Sequence, residues 1–430
     1  MKILVVGAGG REHALSWKIS QSPLATKVFV APGNGGTELE TLITNVDIQA
    51  NDIEGLAEFA LEEKIDLTII GPEDPLVNGI TDRFNQIGLK CFGPSKSAAQ
   101  LEGSKEFMKK FLKRHNIPTA SYATFNDSNE AKRYVKENGC PIVIKADGLA
   151  AGKGVTIAHS IEEAEDAINQ SLESKIFGEA GNTIVIEEFL TGEEASFIVI
   201  TDGNTAIPFA SSQDHKARDD KDKGPNTGGM GAYSPAPIVD EFVHEKIMKE
   251  VINPTLEGLR KDGNKYCGFL YAGMMIDKDK QLKVLEFNCR FGDPETQPIM
   301  MRLKSDIVDL CYKACENKLN NKTLEWDHRK ALGVVMASKG YPFEYEKDKE
   351  ISSIPIERED LKVFHAGTKY DSGALKTNGG RVLCVTSLGN SVESAQKKAY
   401  DALSEIQWND AYYRKDIGYR AIEREKNELN

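Results

Sequence analysis

A rhythm in the first hundred residues narrows the possible folds more than any other feature. Short apolar runs, KILVV, KVFV, DLTII and the brief KCF, alternate with amphipathic stretches such as DIEGLAEFALEEK. Strand-length runs separated by helix-length ones imply βαβ crossovers, and crossovers imply a parallel sheet with helices on its faces. A chain of 430 residues exceeds what one core organises, so roughly two to four domains are expected. After the helical pattern SKEFMKKFLKRH, the stretch NIPTASYATF reads as a linker. Residues 121 to 190 follow as a small α+β unit of strand, glycine loop, strand, helix and strand. From 191 to about 325, ASFIVIT, FLYAGMMID and LKVLEFN point to a larger antiparallel sheet, its last two strands joined as a hairpin through DKDKQ. The last hundred residues supply strand patterns in ALGVVMA and RVLCVTSLG, one helix in SVESAQKKAYDALSEI, and no evident chemistry of their own.

Composition removes several classes of function. A formal charge of -12 lacks the basic footprint that phosphate-backbone binding needs, so no nucleic-acid partner is expected. Seven cysteines occur singly with no CxxC pair, which argues against a disulfide framework or a zinc ribbon and for a reducing, cytoplasmic location. MKILVVGAGG has too few apolar residues before its glycines to be a signal peptide, and no run reaches bilayer-spanning length, so no membrane partner is expected.

Six stretches carry candidate chemistry. Gly7-Ala8-Gly9-Gly10-Arg11 follows the first strand and opens a helix, where free backbone donors and the helix dipole favour a phosphate. The dinucleotide fingerprint is incomplete: its third glycine falls on Glu12, and the second strand ends in Ala31-Pro32-Gly33-Asn34 without a ribose-binding acid. A smaller phosphorylated ligand fits better than NAD, with Arg11 as its partner; a plain strand-to-helix turn with a surface arginine fits equally. Gly71-Pro72-Glu73-Asp74 ends another parallel strand, where ligands gather, and Glu73 could bind a sugar hydroxyl or simply favour a helix N-terminus.

PIVIKADGLAAGKGV delivers Lys145 from a strand into a glycine loop ending at Gly152-Lys153-Gly154. Such a loop can close over nucleotide phosphates, although Walker spacing is missing and a structural hairpin is the alternative. TIVIEEFLTGEEASF runs an apolar strand into four acids, a crossover that could offer adenine and ribose contacts. SSQDHKARDDKDKGPNTGGMGAYSPAP, residues 211 to 237, shows neither helical nor strand period; its glycines could expose N–H donors to an anion. In VLEFNCRFGDPETQ, Val284, Leu285 and Phe287 read as strand interior, while alternation puts Glu286 and Asn288 on one face with Arg290 and Asp293 just beyond. Two hard oxygen donors beside a fixed cation suit Mg²⁺ or Mn²⁺ shared with phosphates.

Taken together, GAGGREHA, APGN, GPEDPLV, LEGSK, IKADGLAAGKGV, IEEFLTGEEAS, QDHK, GPNTGGMGAYSP, GFLYAGMM, EFNCRFGDPETQ, HAGTK, TNGGRVLCVT and RKDIGYRAI resemble the phosphoribosylamine–glycine ligase (glycinamide ribonucleotide synthetase) family of purine biosynthesis, an ATP-grasp family. The resemblance runs from residue 1 to about 425. It implies an α/β and α+β multidomain chain: a parallel-sheet pre-ATP-grasp domain at 1–102, a small ATP-grasp module at 103–190, a larger catalytic module at 191–325 and a small mixed α/β C-terminal domain at 326–430. It implies ATP contacts at Lys105, Lys145, Gly148, Gly152, Lys153, Gly154, Val155, Glu187, Glu188, Phe189, Leu190 and Glu194, and metal ligands at Glu286 and Asn288. Met274 and Met275 depart from the wider superfamily, where many members place another metal-binding acid.

The implied reaction joins glycine to 5-phosphoribosylamine at the expense of ATP, through an acyl phosphate. Lys145, Arg290, Asp214 and the backbone at Gly228 and Gly229 would then serve catalysis. Gly9, Gly10, Arg11, Asn34, Glu73 and Asp293 would hold the amine substrate. A monomer is expected, with a weak dimer as the alternative.

Overall fold

In a computed structural model the chain is described over residues 1–149, 154–320 and 323–428, so Gly152 and Lys153 lie outside the described residues. Among the described residues, the N-terminal strands Lys2–Gly7, Lys27–Pro32, Ile43–Asn45, Leu67–Ile70 and Cys91–Phe92 form one parallel sheet. Lys2–Gly7 is central, with Lys27–Pro32 on one side and Leu67–Ile70 on the other. The switch point of such a sheet lies at the carboxyl ends of those strands. The rhythm of apolar runs anticipates this arrangement. The edge strand Ile43–Asn45 escaped it because only one of its three residues is apolar and buried.

A second, antiparallel sheet joins Tyr122–Phe125, Ile184–Glu188, Ile142–Ala146 and Val155–Ala158. Helices Ser128–Asn138 and Ile161–Ile168 pack on it through Ala131, Val135, Ala164 and Ile168. NIPTASYATF is therefore not merely a linker, since Tyr122–Phe125 within it is a strand. All four of its residues are half-buried, so no inside–outside alternation marks it.

The third sheet runs Ala206–Pro208, Glu193–Thr201, Gly268–Ile276, Leu282–Asn288, and its last two strands form the expected hairpin. In that hairpin Gly273 pairs with Glu286 while Met274 pairs with Val284, which leaves Leu285 unpaired in a bulge. A bulge restarts the alternation one residue later. Leu285 consequently lines the cleft instead of the strand interior, and Glu286 and Asn288 keep their common face.

The C-terminal sheet contains Lys330–Ser338, Arg381–Gly389 and Leu361–His365, but it also takes Gln213–Asp214 and Gly231–Ser234 from the glycine-rich segment. That segment is not irregular. Gly231–Ser234 is buried along its whole length, so it shows no periodicity a sequence could reveal. A second helix, Tyr419–Glu428, follows Val392–Leu403. Among the described residues, no helix is long and apolar enough to cross a membrane.

Candidate active site

The first three sheets and the C-terminal segment border one cleft of about 570 Å³, a size suited to a nucleotide or a substrate of similar bulk. Its floor is the end of strand Leu282–Asn288. Lys216 holds the Glu286 carboxylate down at about 2 against the effect of burial, with Lys145, Lys105 and Arg290 adding to it. One atom of the Asn288 amide lies 2.9 Å from Glu102 Oε1 and 3.2 Å from Phe287 O, both acceptors, which assigns the NH₂ to that side. That leaves the Asn288 carbonyl oxygen unspent beside Glu286. Among the described residues, no group of three or more His, Cys, Asp or Glu is arranged as a metal cage. An ionised carboxylate and one free amide oxygen therefore fit a Mg²⁺ that completes its shell with water and phosphate oxygens.

Arg290 is fixed from two sides, by Glu73 Oε2 at 3.1 Å and Glu102 Oε1 at 2.8 Å. Burial works against its charge, but Glu102 and Glu73 more than reverse that. Glu102 belongs to the quoted LEGSK stretch, yet it had no assigned role. Its carboxylate accepts from Cys289 N at 2.6 Å as well, so one side chain organises Asn288, Cys289 and Arg290 together. Burial raises Glu102 to about 7. Glu73 also suffers burial, but Arg290 and Arg11 bring it down to about 2.

On the side of the small antiparallel sheet, Lys145 Nζ sits 2.9 Å from Glu187 Oε1 and donates to Leu285 O at 3.3 Å. The other Glu187 oxygen lies 2.9 Å from Lys109, which is wholly buried. The Glu187 carboxylate, expected at the nucleotide, pairs with Lys145 and Lys109 and borders the cleft. Lys105 donates to Gly148 O at 3.1 Å, and burial lowers its pKa. Gly148 is not on the cleft wall: its N–H points to Ala180 O at 3.3 Å, and a Cβ there would lie 2.8 Å from that of Ala180. Gly154, Val155, Glu188, Phe189, Leu190 and Glu194 do line the cleft. Glu188 also reaches Lys283 at 2.5 Å.

The N-terminal glycine loop differs from expectation. Gly9 N–H donates to Glu12 Oε2 at 2.6 Å, and Arg11 Nε pairs with Glu12 Oε1 at 2.5 Å. A Cβ at Gly7, Gly9 or Gly71 would collide with that same glutamate. The Gly9 N–H expected to meet a phosphate is thus already taken by Glu12. Asn34 is also committed, donating to Ala8 O (2.8 Å) and His365 O (2.9 Å) and accepting from Gly36 N (2.8 Å) and Thr37 N (3.1 Å). It organises its own loop and does not line the cleft. Gly10 lies against Gln297 and Asp293. Arg11, Glu73 and Asp293 do border the cleft.

The glycine-rich segment brings Asp214, Lys216, Thr227 and Gly228 to the opposite wall. Burial raises the Asp214 carboxyl well above its usual range, and Glu295 raises it further while Lys216 opposes. Lys216 lies 3.0 Å from Glu194 and 3.4 Å from Glu286. It was overlooked; it lies just past the strand Gln213–Asp214 and lines the cleft with Asp214. Gly228 and Gly229 do not offer free N–H groups. Gly228 N donates to Tyr341 Oη at 2.9 Å, and Gly229 N to Thr227 Oγ1 at 3.0 Å. Tyr341 and Arg381, from the segment credited with no chemistry, also line the cleft.

Comparison with known proteins places this geometry. Models of phosphoribosylglycinamide synthetase match in three parts: the N domain at residues 1–102, the ATP-grasp (A) domain at 103–296 and the C domain at 331–420. The phosphoribosylamine–glycine ligase of Escherichia coli strain K12 is 61% identical over 429 residues, covering 99% of this chain and all of the relative. That of Haemophilus influenzae is 60% identical, covering 99% of both chains. Among solved structures, the Thermotoga maritima phosphoribosylamine–glycine ligase superposes with TM-score 0.83 at 34% identity, covering 97% of this chain and all of that one. The biotin carboxylase domain of Hydrogenobacter thermophilus 2-oxoglutarate carboxylase, solved with MgADP and bicarbonate, shares the fold at TM-score 0.73 and 17% identity, covering 96% and 91% of the two chains. With family models spanning its length and relatives this similar, the chain belongs to the phosphoribosylglycinamide synthetase family of ATP-grasp ligases.

Proposed function

We propose that the chain joins glycine to 5-phosphoribosylamine in purine biosynthesis, giving glycinamide ribonucleotide, ADP and phosphate, through glycyl phosphate. The observation that carries this reading is the cleft floor, where Glu286, Asn288 and Arg290 stand opposite Lys145 and Lys105, in a chain whose full-length relatives bear that ligase name.

A carboxylate is a poor acyl donor. In the first step a glycine carboxylate oxygen bonds to the γ-phosphorus of ATP as the bond to the ADP oxygen breaks. In the second, the amine nitrogen attacks the glycyl carbonyl carbon, phosphate leaves with the electron pair, and the amine loses a proton. The protein's part is positioning and charge neutralisation. Lys145, held by Glu187, and Lys105 pair with ATP phosphates; Arg290, held by Glu73 and Glu102, takes the acyl phosphate or the glycine carboxylate. The acidic wall at Asp214 and Glu295 calls for a cation, and the glycine ammonium would relieve the burial and repulsion acting on Asp214. When bound at Glu286 and Asn288, Mg²⁺ or Mn²⁺ would neutralise phosphate charge.

The amine substrate would approach along Arg11, Glu73 and Asp293 from the domain of residues 1–102, with the ATP modules at 103–190 and 191–325 and the C-terminal domain at 326–430. The same reading places the protein in the cytosol, as a monomer or weak dimer. To test it, purified protein is given ATP, glycine and freshly generated 5-phosphoribosylamine. ADP and glycinamide ribonucleotide should appear together and only with all three present. ADP formation driven by bicarbonate in place of glycine would replace this reading with a carboxylase one.

A further inference from the structure

The motifs HAGTK and TNGGRVLCVT and the turn GYPFEY take no part in the reaction scheme above, yet they converge on one peptide group. Arg381 Nη1 donates to Gly228 O at 2.7 Å and to Asp293 O at 2.7 Å, and Nη2 pairs with Asp293 Oδ2 at 3.2 Å. From the other side, Tyr341 Oη accepts the Gly228 N–H at 2.9 Å. Both polar groups of Gly228 are therefore held by residues of the C-terminal segment, and the same guanidinium ties this loop to the one that follows Arg290.

The neighbouring glycines are explained by this arrangement. A Cβ on Gly228 would lie 3.0 Å from Arg381 Cζ and 3.1 Å from Tyr341 Oη, so a side chain there would push both back by a few tenths of an ångström. A Cβ on Gly380 would collide with the Tyr341 ring, and Gly367 and Gly379 meet backbone to backbone just behind Arg381. A hydroxyl that accepts from a peptide keeps its own proton. Among the described residues, no protein acceptor takes the Tyr341 proton, and Tyr341 faces the cleft.

We propose that Tyr341 and Arg381 are positioning residues that lock the Gly228 peptide between the glycine-rich loop and the Asp293 loop, so that the cleft wall stays closed over the acylated intermediate. The proposal rests on the ligase reading. Its chemical consequence is a choice of nucleophile. With the wall fixed, the amine attacks glycyl phosphate; with the wall loosened, water attacks instead, returning glycine and phosphate for every ADP formed.

The test compares the full chain with its Tyr341→Phe, Arg381→Lys and Gly228→Ala variants, measuring ADP and glycinamide ribonucleotide in parallel, the KM for ATP, and thermal unfolding. Tyr341→Phe removes one oxygen and keeps the ring, so it should fold like the parent. Its KM for ATP should stay within about twofold. Its kcat for product should fall by about 10- to 100-fold, the range expected for a displacement near 1 Å. Product per ADP should drop below one, with glycine-dependent ADP formation persisting without the amine. Lysine cannot hold two carbonyls and a carboxylate in one plane, so Arg381→Lys should uncouple in the same way. Unchanged kinetics in Tyr341→Phe, or a lower kcat with product per ADP still at one, would overturn the proposal while leaving the ligase reading intact. A parent protein that makes no product would remove the ligase reading itself.

Discussion

The loop after the first strand and the end of strand Leu282–Asn288 look equally ready for a ligand, one rich in glycine donors and the other in charged groups. The structure separates them. In the first, Gly9 N–H and Arg11 Nε are both taken by Glu12, and Gly7 and Gly9 leave room for that side chain. In the second, partners are arranged around the groups without consuming them: Glu102 holds the nitrogen side of Asn288 and leaves its oxygen, while Lys216 holds Glu286 ionised at a looser 3.4 Å. A ligand site needs polar groups whose hydrogen-bonding capacity is unspent. Local composition records how many such groups exist, and only the fold records how many remain free.

That contrast is most exposed to Glu286→Gln. Losing the carboxylate at the floor should lower kcat by about 10³-fold, the upper range for removing one electrostatic group from a preorganised site, with thermal stability retained. A loss of only a few-fold in coupled ADP release would place the phosphate chemistry elsewhere.

Arg11 and Asn34 divide the N-terminal region more finely. Under the proposed function, Arg11→Ala should raise the KM for 5-phosphoribosylamine by about tenfold and leave the KM for ATP nearly unchanged, because Arg11 borders the cleft from the N-terminal region. Equal shifts in both constants would deny it that role. Asn34→Ala, by contrast, should cost about 1–3 kcal/mol in denaturant unfolding, the penalty for stranding buried partners, with both KM values near those of the parent. A selective effect on the amine would return Asn34 to the site.

The smallest effect is in the pH dependence of stability. Glu286 and Glu73 are held at about 2, below the unfolded carboxyl value near 4.3. Between those values the unfolded chain binds more protons, so their contribution is present above the unfolded pKa and lost as pH falls toward 2. Glu102, raised to about 7, has the opposite sign: its contribution is full below the unfolded value and is lost as pH rises through 7. Burial lowers the pKa of His13, His215, His244 and His365, whose contributions are lost on acidification below their unfolded value near 6.5, so the Glu102 contribution is read as the difference between the parent and Glu102→Gln. That difference in melting temperature should change with pH between about 4.3 and 7; a difference constant across that range would show that Glu102 does not titrate there.

Elements with strong periodicity were readable in advance, including the parallel sheet and the late hairpin. So was the floor pair Glu286 and Asn288, because a two-residue spacing on a strand survives even the bulge at Leu285. Lys216, Glu102, Tyr341 and Arg381 were missed for a common reason: each reaches the cleft from a different part of the chain, and all four act through groups far away in sequence. Gly231–Ser234 was missed because a wholly buried strand of small residues has no inside and outside to alternate.

Apolar spacing and strand alternation act over a few residues, so residue order alone settled the classes of sheet, the hairpin and the common face of the floor pair. Which donors and charges stayed available to a substrate depended on partners as distant as Glu73 for Arg290 and Arg381 for Gly228. Hydrogen bonding and ion pairing saturate on contact whatever the separation along the chain, and contacts of that range are made only when the sheets and the C-terminal segment close around the cleft.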